Sequence, residues 1–310
     1  MHGRSFSAMD NSRRKTGNGG DKSVLCIGEV LFDCFPDYDR LGGAPGNVAA
    51  MLAMLGNHAS VVAAVGEDRN GDRAVRELEA LGVDTALVQR SARPTGTVTV
   101  KLDTAGMATY TFAEDPAWDH LQATTELRAR CVDADALYFG TLAGRAPESA
   151  ATIRDLVAGA APEVLRVLDV NLRDPWYTPE IIRWCVAHAD VIKLSDEEVA
   201  PVADAVGVAA EKLIPTLLGR GVRLVALTLG SAGSRLHLAD RTVTTPAVPP
   251  TKVADTVGAG DSFTATLIDG LLRGDELETI GKRANAIASF VCSQPGATPS
   301  LPEALLRKNC

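Results

Sequence analysis

Nine consecutive residues near the C-terminus, Asp255-Thr256-Val257-Gly258-Ala259-Gly260-Asp261-Ser262-Phe263, run straight into an apolar-periodic stretch. That order suits holding a phosphoryl group and presenting it to a nucleophile. Gly258 and Gly260 let the backbone turn tightly with no Cβ in a ligand's way. The first N–H groups of a following helix lack intrahelical partners and point into such a turn, where the helix dipole favours negative charge. Phe263, Leu267, Ile268, Leu271 and Leu272 keep helical spacing, and Gly274 follows as a stop. Asp261 therefore falls in the first turn beside an anion hole, placed to take a proton from an attacking hydroxyl. Acidic first turns and glycine-rich turns also open many ordinary helices.

Other polar groups follow short apolar runs. Gly28, Glu29 and Asp33 come after Val24–Ile27, and Asp169-Val170-Asn171-Leu172-Arg173 ends a second such run. Lys193-Leu194-Ser195-Asp196-Glu197-Glu198 ends a third and reads locally as an acidic helix start. Thr228-Leu229-Gly230-Ser231-Ala232-Gly233 closes a fourth in a tight glycine turn. Asn47, after Leu41-Gly42-Gly43-Ala44-Pro45-Gly46, is by type among the best helix N-caps.

The elements that must position these groups alternate. Strands are expected at Val24–Ile27, Ser60–Val65, Ala136–Phe139, Val164–Val170, Val191–Lys193, Leu224–Leu229 and Ser234–Leu238, and helices at Asn47–Leu55, Gly71–Leu81, Glu148–Ala158, Pro179–Ala187 and Ala209–Leu218. Such alternation predicts an α/β fold, a mostly parallel sheet covered on both faces, with ligands at the strand C-terminal ends. Thr95–Thr111 is instead Thr/Val/Tyr-rich and near-alternating around Asp103-Thr104-Ala105-Gly106, which predicts a β-hairpin. With Cys34–Leu41 it suits a small lid.

Bulk properties narrow the class. A chain of 310 residues accommodates one large α/β domain with a small accessory unit. A net charge of −8 without a Lys/Arg cluster in the folded part argues against a nucleic-acid partner. No apolar run reaches about 18 residues, so no membrane span is expected. Six scattered cysteines without a C-x-x-C pair suggest neither a zinc site nor a disulfide framework, and fit a cytoplasmic protein. Residues 1–22, polar and mildly basic, read as a disordered leader. No G-x-G-x-x-G follows the first strand and no Walker-type G-x-x-x-x-G-K-[ST] occurs, against a dinucleotide fold or a P-loop kinase.

The Asp255–Asp261 run resembles the second signature of the ribokinase-like (PfkB) carbohydrate kinases, and Leu41–Asn47 resembles their first; the likeness extends over about residues 23–303. The resemblance implies a three-layer α/β/α sandwich with a β-sheet lid, one kinase domain over 23–310 and lid segments at about 34–45 and 93–118. It implies that Asp261 is the catalytic base and that the N–H groups of Gly258, Ala259 and Gly260 stabilise charge on the transferred phosphoryl group. Asp33, Gly42, Gly43 and Asn47 would meet the sugar, and Asn171, Arg173 and Arg145 would add polar contacts to substrate.

On the nucleotide side the same resemblance places Lys193, Thr228, Gly230, Gly233, Gly258, Gly260 and Asn285, with Glu198 organising magnesium through water. Ser195 stands where the family usually has Asn, as in several fructokinase-type members. ATP and Mg2+ are the implied cofactors. K+ near Asp255 and the Pro295-Gly296 loop, and a homodimer through the lid, are further family features. Arg93–Val98, Phe139–Arg145 and Asp174–Tyr177 resemble fructokinase segments, which implies D-fructose as acceptor. The alternatives are 2-keto-3-deoxygluconate, ribose, a nucleoside, or a sugar-binding regulator with an inactive kinase site.

Overall fold

The structure is a computed structural model that describes residues 22–102, 108–250 and 252–306. Almost all of the leader and the Asp103–Gly106 turn lie outside the described residues.

Strands are numbered along the chain. Eight form the central sheet: β1 (Ser23–Ile27), β4 (His58–Val62), β9 (Ala136–Gly140), β10 (Leu165–Asp169), β11 (Val191–Ser195), β12 (Leu224–Thr228), β13 (Ser234–His237) and β14 (Thr242–Thr245). Their order is β14-β13-β12-β11-β10-β9-β1-β4, parallel from β4 through β12, with β13 and β14 antiparallel at one edge. The second sheet, β3-β2-β7-β8, joins β2 (Leu31–Cys34), β3 (Asp39–Gly42), β7 (Gly96–Leu102) and β8 (Ala108–Phe112). A short parallel pair, β5 (Ala64–Gly66) and β6 (Gln89–Ser91), forms a third sheet.

The layers follow from residue alternation. Along β1, Val24 and Cys26 join one core cluster, while Leu25 and Ile27 join the other. Ala136/Tyr138 against Leu137/Phe139 repeat the division on β9. A strand buried on both faces needs apolar residues at every position, and these have them. One face is covered by α1 (Ala44–Met54), α2 (Arg69–Ala80), α8 (Ala259–Arg273) and α9 (Leu277–Cys292). The other carries α3 (Thr125–Asp133), α4 (Pro147–Gly159), α5 (Pro179–Ala187), α6 (Asp196–Val206) and α7 (Leu213–Gly219). A terminal helical turn, α10, spans Glu303–Leu306. The α/β three-layer reading holds.

Three local expectations need correction. Ser60–Val65 is not one strand: β4 ends at Val62 and β5 begins at Ala64, where the chain leaves the central sheet to pair with β6. The Ala209–Leu218 helix opens as a 3₁₀ turn, Ala210–Lys212, before α7. Helix α1 begins at Ala44, so Asn47 lies inside it rather than capping it; Gly43, at φ 103°, is the cap, with Pro in the first turn supplying the fixed φ of a helix start. Among the described residues, no helix is long and apolar enough to cross a membrane.

Candidate active site

Parallel pairing aligns the C-terminal ends of β1, β9, β10, β11 and β12 on one edge of the sheet. Glu29, Thr141, Asp169 and Thr228 stand at or just past those ends, and Lys193 lies two residues before the end of β11. Chain order reverses at β1, flanked by β4 on one side and β9 on the other, which opens a crevice there. Helix α8 starts above it. Gly258 caps the helix in the left-handed region, φ 79°, ψ −5°. A Cβ there would lie 2.5–2.6 Å from Ala297 O, Cα and Cβ. The glycine is thus required twice, by dihedral angle and by space.

Asp261 follows in the first turn of α8. The side-chain amide of Asn47, on α1, donates to Asp261 Oδ2 at 2.7 Å across 214 residues of sequence. Burial raises the Asp261 carboxyl above the usual aspartate range, while the Asn47 bond, Lys193 and Arg173 pull it back. A carboxylate so raised is a better proton acceptor than a free one.

Beneath the turn lies a buried ion pair. Lys193 Nζ donates to Asp169 Oδ1 at 3.0 Å, with side-chain exposures of 8% and 0%. Thr264 Oγ1 donates to Asp169 Oδ2 at 2.8 Å, which ties α8 to the end of β10. Burial pushes Asp169 up to about 6. Burial alone would lower Lys193, but the Asp169 and Glu198 carboxylates outweigh it and its pKa ends raised. Each group of the pair thus favours the charged form of the other. Lys193 Nζ also lies 3.1 Å from where a Cβ on Gly260 would stand, so positive charge lies beside the Gly258–Gly260 turn. Any side chain at Gly260 would push against that ammonium.

Glu198 accepts the Ser195 N–H on Oε2 and the Leu172 N–H on Oε1, each at 2.7 Å. It completes a capping box at the start of α6 and holds the Asn171–Arg173 loop, where Asn171 adopts φ 39°. Glu29 is buried, accepts the Ala44 N–H at 3.2 Å, and is pushed up to about 7 by desolvation. Asp33, on β2, is raised by burial and lowered by Arg173 and Arg40. Gly42 sits opposite Leu31 across the β2–β3 pair, and a Cβ on it would meet Asp33 Oδ2 at 2.6 Å. A Cβ on Gly43 would meet Glu29 O at 2.4 Å.

The remaining expected residues divide. Thr228, Gly230 and Gly233 form the turn between β12 and β13, with Gly230 and Gly233 at φ 52° and 95°. Thr228 Oγ1 reaches back to Leu194 O at 3.4 Å. Asn285 donates to Thr245 O and Pro246 O at 3.1 and 3.0 Å, so its amide holds the chain leaving β14. Arg173 donates to Leu172 O. Arg145 is sandwiched between Trp118 and Trp176, its guanidinium carbon 4.0 and 4.4 Å from their ring centroids, and paired with Asp119 at 2.8 Å. Sequence reading missed that arrangement, along with Thr264 and the lid arginine Arg40. The one local hint was a tryptophan on each flanking loop. Among the described residues, no group of three or more His, Cys, Asp or Glu forms a metal cage. The donor set still fits a magnesium ion brought in on phosphates, which needs only one or two carboxylates plus water.

A left-handed glycine turn opens α8, the buried Asp261 carboxylate follows it and Asp33 lies on the smaller sheet, an arrangement that suits phosphoryl transfer to a hydroxyl. The pfkB family carbohydrate kinase model matches residues 21–304, and the chain belongs to that family. It is 31% identical over 307 residues to a sugar kinase of Pyrococcus horikoshii, covering 92% of this chain and 95% of that one. It is 30% identical over 283 residues to a fructokinase of Rhizobium leguminosarum bv. trifolii, covering 84% and 85%. The structure of the Pyrococcus horikoshii kinase in complex with ATP superposes with a TM-score of 0.78 at 29% identity, covering 89% of this chain and 94% of that one. The protein is a sugar kinase.

Proposed function

We propose that this kinase transfers the γ-phosphoryl group of ATP to the primary hydroxyl of a monosaccharide, D-fructose giving fructose 6-phosphate. The observation that carries the chemistry is the Asn47–Asp261 hydrogen bond, which joins the helix of the lid-side glycine turn to the helix of the anion hole. The acceptor rests on fructokinase relatives at about 30% identity.

Asp33, with two acceptor oxygens, binds a vicinal diol, and the Gly42–Gly43 backbone approaches the ring. Asn47 orients Asp261 and meets a sugar hydroxyl. Asp261 takes the proton of the attacking hydroxyl as its oxygen moves in line toward the γ-phosphorus. The Gly258, Ala259 and Gly260 N–H groups, with Lys193 beneath, stabilise the charge growing on the equatorial oxygens. Asn171, Arg173 and Arg145 complete the acceptor side; Thr228, Gly230, Gly233 and Asn285 shape the nucleotide side. Glu198 would organise magnesium through water, and the ion would offset phosphate charge. The lid sheet excludes water as a competing acceptor. K+ dependence and a lid-mediated homodimer belong to the same reading; replacing K+ by tetramethylammonium and measuring mass in solution test them.

The decisive experiment is ADP release with Mg-ATP across a sugar panel led by D-fructose, with Asp261→Asn beside the wild type. Loss of a general base lowers kcat on the order of 10²- to 10⁴-fold, while sugar affinity stays within a few-fold. Near-wild-type turnover by the variant removes Asp261 as base. Faster turnover on another sugar replaces the acceptor and keeps the chemistry.

A further inference from the structure

Arg40 carries no role in the phosphoryl-transfer scheme, yet it makes a direct link from the lid to the anion hole. It lies on β3 directly opposite Asp33 on β2, so both side chains share one face of the lid sheet. Its guanidinium packs over Tyr38 at 4.8 Å and Phe35 at 5.9 Å, and those rings stack on each other at 4.6 Å. The Phe35 N–H to Tyr38 O bond closes the hairpin that carries them. Thus held, Nη1 donates to Asp255 Oδ2 at 3.0 Å, a contact spanning 215 residues. Asp255 is a hub. Oδ1 accepts the Val257 N–H at 3.0 Å, and Oδ2 also accepts the Gly296 N–H at 3.3 Å. Gly296 leads into Ala297, the residue against which Gly258 is packed.

We infer that Arg40 is a positioning residue that couples closure of the lid to the geometry of the anion hole. The path is contiguous: lid strand, Arg40, Asp255, then the Val257 and Gly296 backbones that flank Gly258. With the lid down, the guanidinium fixes the Asp255 carboxylate, and the carboxylate fixes both segments. With the lid raised, the hub loses its only side-chain partner among the described residues. Phosphoryl transfer then waits on sugar-side closure. The inference rests on the Asp261-centred reading for its kinetic consequence, but not for its structural one.

The ion pair is partly exposed, at 38% and 21%, so its removal has little effect on global stability and the readout must be local. Hydrogen exchange of the wild type and Arg40→Ala, without substrate, is followed at residues 252–262 and 294–298. Faster exchange there, at unchanged unfolding midpoint, is expected; exchange altered only within 31–42 overturns the coupling. In turnover, Arg40→Ala lowers kcat about tenfold or more, as a catalytic group displaced by a fraction of an ångström would, and KM for ATP changes less. Arg40→Lys restores part of kcat through its charge. Adding Arg40→Ala to Asp255→Asn has no further effect, since one link is already cut. Wild-type kcat in Arg40→Ala, or full additivity with Asp255→Asn, overturns the inference. If Asp261→Asn stays active, the base assignment fails and the exchange result still decides the coupling.

Discussion

Helix α8 is bounded by two glycines in nearly the same conformation, which makes it its own control. Gly258 caps its start at φ 79° and Gly274 its end at φ 77°. An alanine in the left-handed region costs about 1–2 kcal/mol at either position. At Gly274 nothing lies within 4 Å of the added Cβ, so Gly274→Ala is expected to lose about that much stability and no activity. At Gly258 the Cβ arrives 2.5 Å from Ala297 O and 2.6 Å from its Cα and Cβ. Ordinary contact needs about 3.5 Å, so the turn and the 296–298 segment must part by roughly 1 Å. Overpacking adds about 1–3 kcal/mol to the stability loss. The same displacement moves the N–H groups off the phosphoryl position, and a 1 Å error in such a site lowers kcat on the order of 100-fold, about 2.7 kcal/mol of barrier. Urea denaturation and ADP release at saturating substrates measure both quantities. A folded Gly258→Ala variant with kcat within threefold of Gly274→Ala would refute the claim that this turn is the anion hole.

Two further substitutions separate binding from stability. Gly42→Ala places a Cβ 2.6 Å from Asp33 Oδ2 with no dihedral strain, so the carboxylate must swing away; KM for the sugar is expected to rise about tenfold, with KM for ATP unchanged, and equal rises in both would assign Gly42 to lid packing alone. Glu29→Gln tests a buried acid raised from 4.5 to about 7 by desolvation. Between those values the unfolded chain has released its proton and the folded chain keeps it, so this group's contribution to stability falls as pH rises, by about 3 kcal/mol in all. The variant should match the wild type near pH 4.5 and gain on it up to about pH 7, levelling beyond; a pH-independent difference in urea unfolding would show that Glu29 is not the group responsible.

How far the site could be read from sequence depended on what holds each residue. The Gly258–Asp261 turn is determined by neighbours in the chain: a left-handed glycine, a helix start and an apolar stripe within fifteen residues. Strands β1, β9, β10, β11 and β12 were legible because both faces of each are buried, and their apolar runs state that directly. Asn47 shows the limit. By type it reads as an N-cap, yet Pro45 lets α1 start earlier and frees its amide for Asp261, 214 residues away. Arg40 and Asp255 are as far apart, and no local rule pairs them. Lys193, Asp169 and Thr264 each sit in an ordinary-looking context, a strand end or a helix turn; only parallel register brings Asp169 beside Lys193, and only the seating of α8 brings Thr264 above them. Backbone-determined parts of this active site are therefore local and readable, while the side chains that tune the charge of Asp261 and tether its turn are products of strand order and helix seating. The same division explains why the reaction class was legible before the acceptor. On the proposed reading, phosphoryl transfer rests on a contiguous turn, whereas sugar choice would rest on how Asp33, Arg145 and Arg173 are presented by three separate segments.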